Sequence, residues 1–146
     1  MIRALQIRSA TTADLPGITT VLDKCGLTQN ASWSPDMFHI ALMDGRIVAC
    51  AGAERHAKVI VVCSVAVLPG YRDRGIAKHL VSAVLVRARA EGCERAVLAT
   101  AKCPGFFSRY GFSLVATTSL PVSVRNSHTL TSPGMPAGVC MQCELK

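Results

Sequence analysis

The chain has 146 residues, half of them hydrophobic, and a net charge of +7 from 16 Lys and Arg against 9 Asp and Glu. That length and apolar content suit one domain over residues 1–146; with no run near the roughly 18 apolar residues that span a bilayer, and no long apolar segment in the opening MIRALQIRSATTADLP, a cytoplasmic protein without a membrane partner is expected. The positive balance favours an anionic partner, but the basic residues are scattered and aromatics make up only 5% of the chain, which argues against nucleic acid and for a phosphorylated small molecule.

In chain order, ALQIRSA reads as a first strand, and TTADLPGITTVLDKCG as a helix capped by Thr12, stopped by Gly26, and buried along Leu15, Ile18, Leu22 and Cys25. MFHIALMDGRIVACAGAE is two β-type runs around Asp44-Gly45, a strong hairpin signal, and KVIVVCSVAV is the continuous β-branched run of a buried central strand. GIAKHLVSAVLVRARAEG predicts a helix with Leu80, Val84 and Leu85 on one side, closed by Gly92. RAVLATA predicts a strand, PGFFSRYGF a short helix opened by Pro104 and stopped by Gly111, SLVATTS another strand, and the apolar run Val139 to Leu145 a last one. The order implies an α/β fold with a mixed sheet. The last strand lies at a sheet edge able to pair in a homodimer, or inside the sheet.

The seven cysteines are an odd number among apolar neighbours, the pattern of buried thiols in a reducing compartment. Cys140 and Cys143 have C-x-x-C spacing without a second pair or a nearby histidine, so no metal site is expected.

The chemistry concentrates in VAVLPGYRDRGIAKHL, where a buried strand stops at Pro69-Gly70 and a turn carrying Arg72, Asp73, Arg74, Gly75, Ile76 and Ala77 leads into a helix whose first residues are near Arg72, Arg74 and Gly75. A helix start presents unpaired backbone N–H groups and partial positive charge; Gly75 and Ala77 keep bulk away, and Arg72 and Arg74 add donors at the rim. That is a place for a pyrophosphate. Arg-x-x-Gly-x-Ala, between a strand and an amphipathic helix, resembles the acetyl-CoA signature of the GCN5-related N-acetyltransferase superfamily. The likeness runs along nearly the whole chain, through IRSATTADLPGI, AGAE, SVAV and FFSRYGF. It is similar above all to the amino-acid acetyltransferases of the N-acetylglutamate synthase type and, through FFSRYGF, SLPVSVRNS and TSPGMPAGVCM, to the arsenic-resistance N-acetyltransferases.

The resemblance implies a mostly antiparallel sheet splayed in the middle and flanked by helices. It implies that Val65, Ala66 and Val67 pair by backbone with the pantetheine arm of acetyl-CoA, while residues 72–77 hold the pyrophosphate. Transfer to an amine calls for a base, because an α-amino group with a pKa near ~8 is largely protonated at neutral pH. Glu54, at the end of the apolar IVACAGA run, is the candidate. Two positions depart from the family. Phe107 stands where relatives carry a tyrosine that protonates the leaving thiolate, and Tyr110 is expected to face away. Cys63 stands where amino-acid acetyltransferases carry an arginine for the acceptor's carboxylate, a group that arginine binds through two parallel hydrogen bonds and cysteine cannot; either the acceptor differs or another residue takes that task, and Arg125 is the candidate.

The function expected is acetyl-CoA-dependent N-acetylation of a small, amino-acid-like amine, an arsenic- or phosphorus-containing glutamate analogue among the options. A non-catalytic acetyl-CoA-binding module and a protein N-terminal acetyltransferase are the alternatives. Cys63 and Cys103 are minor candidates for contact with a soft metalloid.

Overall fold

The computed structural model describes residues 5–26, 38–100, 107–109, 111–125 and 139–145. Among them seven strands form one sheet in the order β1-β2-β3-β4-β5-β7-β6. The chain divides into two compact units: Met1–Ala53 with Ser64–Val86, and Glu54–Cys63 with Arg87–Lys146.

In the first unit β1 (Leu5–Ser9) runs antiparallel to β2 (Phe38–Met43). Between them in sequence, a 3-10 turn at Thr12–Asp14 leads into α1 (Leu15–Lys24). The cap is one residue earlier than the sequence suggested, because Asp14 reaches back to Thr11: its Oδ2 accepts from the Thr11 amide at 2.7 Å and the Thr11 hydroxyl at 3.0 Å. Arg8 donates to both carboxylate oxygens, at 2.8 and 3.1 Å. The Arg8 hydrogen bond first, and the Thr11 amide second, hold the Asp14 carboxyl well below the usual carboxylate range. α1 buries Ile18, Val21 and Leu22, while Leu15 and Cys25 are only half-buried. Gly17 permits a close approach to the sheet: a Cβ there would lie 2.6 Å from Ile47 Cδ1.

The hairpin falls where Asp44-Gly45 predicted it, with φ of +53° and +77°, the two left-handed residues of a tight turn between β2 and β3 (Arg46–His56). A second reversal, with Ala57 at φ +56°, leads to β4 (Val59–Val67). Val59 to Val62 are buried, as a central strand demands, but Cys63, Ser64 and Val65 are half-buried. Ser64 interrupts the extended path with φ +53°, and the Cys50 thiol donates to its carbonyl at 3.7 Å. After Leu68, whose amide bonds the Val48 carbonyl at 2.9 Å, a 3-10 turn at Pro69–Tyr71 leads toward α2 (Ile76–Ala90). α2 buries Ile76, Leu80, Val81 and Val84, with Leu85 half-buried beside them.

In the second unit the start of β4 pairs in parallel with β5 (Arg95–Thr100), from Val59↔Arg95 to Val61↔Val97. β7 (Val139–Glu144) runs antiparallel to β5 over its whole length, and β6 (Ser113–Val115) pairs with β7 on the other side. The last strand is therefore internal. One edge is paired with β5 along its length and the other with β6 from Cys140 to Gln142, so β7 is not the outermost strand that one of the two sequence readings took it for. The strand expected over residues 113–119 is cut to Ser113–Val115, because Ser119 turns back to the Ala116 carbonyl through its amide at 2.9 Å and its hydroxyl at 2.7 Å. A helical turn follows at Val122–Arg125, seating Val124 in a core of Val59, Val61, Val97, Leu120 and Cys140.

Period-2 alternation puts Cys140 and Cys143 on opposite faces of β7, so the C-x-x-C spacing does not bring the two thiols together. Cys140 is a core residue, and burial pushes the Cys143 thiol above its ordinary range. Cys103 and Tyr110 lie outside the described residues.

Candidate functional site

The basic turn lies wholly in the first unit. β4 ends at Val67, and α2 begins at Ile76. Its earliest amide bond runs from His79 to the Gly75 carbonyl at 3.2 Å, so the amides of Ile76, Ala77 and Lys78 precede the helix's own ladder. Ahead of them Asp73 (φ +60°) and Gly75 (φ +77°) are both left-handed, and such residues among right-handed or extended ones gather N–H groups into an anion-binding concavity. Among the described residues nothing stands within 4 Å of where a Gly75 Cβ would be, so glycine is there for its backbone conformation.

The two arginines take different paths. Arg72 folds back: its Nε donates to the Val67 carbonyl at 2.9 Å and its guanidinium lies 3.7 Å from Cys25 Sγ, while the Cys25 thiol donates to the same carbonyl at 3.4 Å. Arg72 therefore braces the end of β4, because the Val67 carbonyl is an acceptor that a guanidinium satisfies with charge assistance. Arg74 stacks over the Tyr71 ring, 5.6 Å from its centre, and is exposed. Val65 and Val67 are half-buried on either side of buried Ala66.

The other candidates belong to the second unit. Glu54 is half-buried, and its Oε2 lies 3.2 Å from His56 Nε2. The two share a face of β3 by strand alternation; Arg55, between them, is exposed and donates to the Ala57 carbonyl at 3.0 Å. Arg125 is half-buried, and its Nε is a buried donor without a hydrogen-bond partner among the described residues. Phe107 meets Phe112 edge to face, with ring centres 6.0 Å apart, so it contributes packing rather than a hydroxyl. Cys63 is half-buried on β4. Among the described residues no three His, Cys, Asp or Glu side chains are grouped to hold a metal ion.

Sequence reasoning missed His56, although the alternation in AERH was its signal. It also missed the Cys25 and Arg72 brace, separated by 47 positions, for which the sequence carries no local sign.

Residues 6–112 match the family model for the acetyltransferase (GNAT) family, and the chain belongs to that family. Among curated proteins it is similar to the amino-acid acetyltransferase of Pasteurella multocida (strain Pm70), 29% identical over 132 residues, covering 84% of this chain and 30% of that one. The chain thus spans about a third of the length of the curated relatives it matches. Among solved structures it is similar to N-acetylglutamate synthase from Neisseria gonorrhoeae complexed with coenzyme A and N-acetyl-glutamate, with a TM-score of 0.85 at 22% identity over 100% of this chain and 36% of that one. It is also similar to Rv2747 from Mycobacterium tuberculosis in a complex with CoA, with a TM-score of 0.84 at 23% identity, covering 97% and 99% of the two chains. The α/β fold expected from the motifs is that of these structures.

Proposed function

We propose that the chain is an acetyl-CoA-dependent N-acetyltransferase acting on a small, amino-acid-like amine. The observation that carries this reading is the turn at residues 72–77: two left-handed residues and unladdered amides at the start of a 15-residue helix fit a pyrophosphate. Bound acetyl-CoA supplies an activated acetyl group, whose carbonyl carbon bonds to the amine nitrogen as its bond to sulfur breaks and the thiolate leaves. Val65 to Val67 offer backbone groups to the pantetheine arm, the Val67 carbonyl excepted because Arg72 and Cys25 already occupy it, and the left-handed Ser64 just before them supports a local change of strand path. Glu54 takes the proton that the amine gives up, directly or through water. Arg125 binds the acceptor's carboxylate, a role supported by its Nε having no hydrogen-bond partner among the described residues.

The opposing reading, a module that binds acetyl-CoA without turnover, is favoured by Phe107, which packs against Phe112 and has no proton to give a thiolate. Thiol release from acetyl-CoA, measured over a panel of amino acids that includes arsenic- and phosphorus-containing glutamate analogues, separates the two. Turnover on a carboxylate-bearing amine supports the enzyme; acetyl-CoA binding without thiol release on any amine supports the module.

A further inference from the structure

We propose that His56 is the positioning residue for the Glu54 carboxylate, an inference that rests on Glu54 being the base. The two side chains leave the same face of β3 two residues apart and meet at 3.2 Å through His56 Nε2 and Glu54 Oε2. Their exposures are 23% and 18%, so the contact is shielded from the screening that makes surface pairs weak. A glutamate side chain has three rotatable bonds, and a base must be held within a fraction of an ångström of its proton to act. The imidazole supplies that restraint: with its proton on Nε2 it donates to one carboxylate oxygen and fixes the plane of the group. The strand adds rigidity. β3 is an 11-residue strand, and Glu54 and His56 are among its last residues before the reversal at Ala57. Arg55 does not compete, since it faces the other way and is engaged with the Ala57 carbonyl.

The test compares steady-state thiol release in the parent, Glu54→Gln, His56→Phe, His56→Gln and the double variant Glu54→Gln/His56→Phe, with saturating acetyl-CoA and L-glutamate or the best panel amine. Glu54→Gln is expected to lower kcat by about 100-fold or more. His56→Phe should lower kcat by about 10-fold without changing the KM for acetyl-CoA. His56→Gln, which keeps an N–H donor at similar reach, should recover most of that loss, and His56→Phe should cost nothing further in the Glu54→Gln background. A parent-like kcat in His56→Phe beside a slow Glu54→Gln overturns the role of His56 and leaves the base standing. A parent-like kcat in Glu54→Gln overturns the base itself. Failure of the glutamine to rescue, or a full loss persisting in the double variant, also overturns the positioning role. Should the phenylalanine variant not fold, His56→Ala replaces it; should no amine turn over, an imidazole 15N signal of His56 unmoved by Glu54→Ala refutes the coupling.

Discussion

Replacing Gly75 by alanine and by glutamate separates what the backbone of the basic turn needs from what its ligand needs. At φ +77° any side chain pays the left-handed penalty, about 1–2 kcal/mol, and no clash adds to it because nothing among the described residues lies within 4 Å of the new Cβ. For a domain of this size that corresponds to a fall in Tm of roughly 3–8 °C in both variants. Acetyl-CoA at ~100 times its Kd should stabilise the parent by about 2.7 kcal/mol, a rise of roughly 5–11 °C. The alanine variant should keep most of that rise. The glutamate sets a carboxylate against the pyrophosphate, and a 100-fold loss of affinity at the same ligand concentration leaves about 0.4 kcal/mol, or roughly 1 °C. Differential scanning fluorimetry with and without acetyl-CoA reads both quantities, with circular dichroism to establish that each variant is folded. A folded glutamate variant shifted by acetyl-CoA as far as the parent removes the turn from the cofactor site. An alanine variant with the parent's Tm refutes the backbone argument.

Arg125→Ala should raise KM for carboxylate-bearing amines by roughly ten- to a hundredfold, the value of a charge-assisted hydrogen bond of ~1.5–3 kcal/mol, and amines without a carboxylate should lose much less; equal losses for both classes would withdraw the assignment. Asp14→Asn should cost about 0.5–2 kcal/mol through the cap at Thr11, with little added from the ion pair because the Arg8 side chain is 42% exposed. Because folding lowers the Asp14 pKa, its contribution is full above the ordinary value of 3.8 and is lost as pH falls toward the folded value. Denaturant melts should therefore separate parent and variant at pH 6, with the gap beginning to narrow below about pH 4 and closing only as pH approaches the lower folded value; a gap that persists unchanged in acid would point to another cause. In thiol-release assays Glu54→Gln should lower kcat far more than it changes acetyl-CoA affinity, and a loss confined to the acetyl-CoA KM would assign Glu54 to binding instead.

The elements that local chemistry dictates were legible in the chain itself. Asp44-Gly45 forces its hairpin because both residues accept positive φ, the run from Val59 to Val62 is buried because a central strand needs it, and the Arg-x-x-Gly-x-Ala turn opens a helix as its spacing demands. The family followed from that turn. Position in the sheet did not, because pairing partners are chosen by contacts distant in sequence. β7 inserts between β5 and β6 through ladders such as Thr100↔Val139 and Val115↔Cys140, where a terminal apolar run alone reads equally well as an edge. Arg72 left the rim for the Val67 carbonyl once the fold brought Cys25 to the same place. Ser64 turned left-handed inside a run dominated by β-branched residues, and folding buried the Arg125 Nε without a partner among the described residues. Sequence alone determined which groups could carry the chemistry; tertiary structure decided where each points and what it touches, since direction and burial are set by neighbours that the linear order does not reveal.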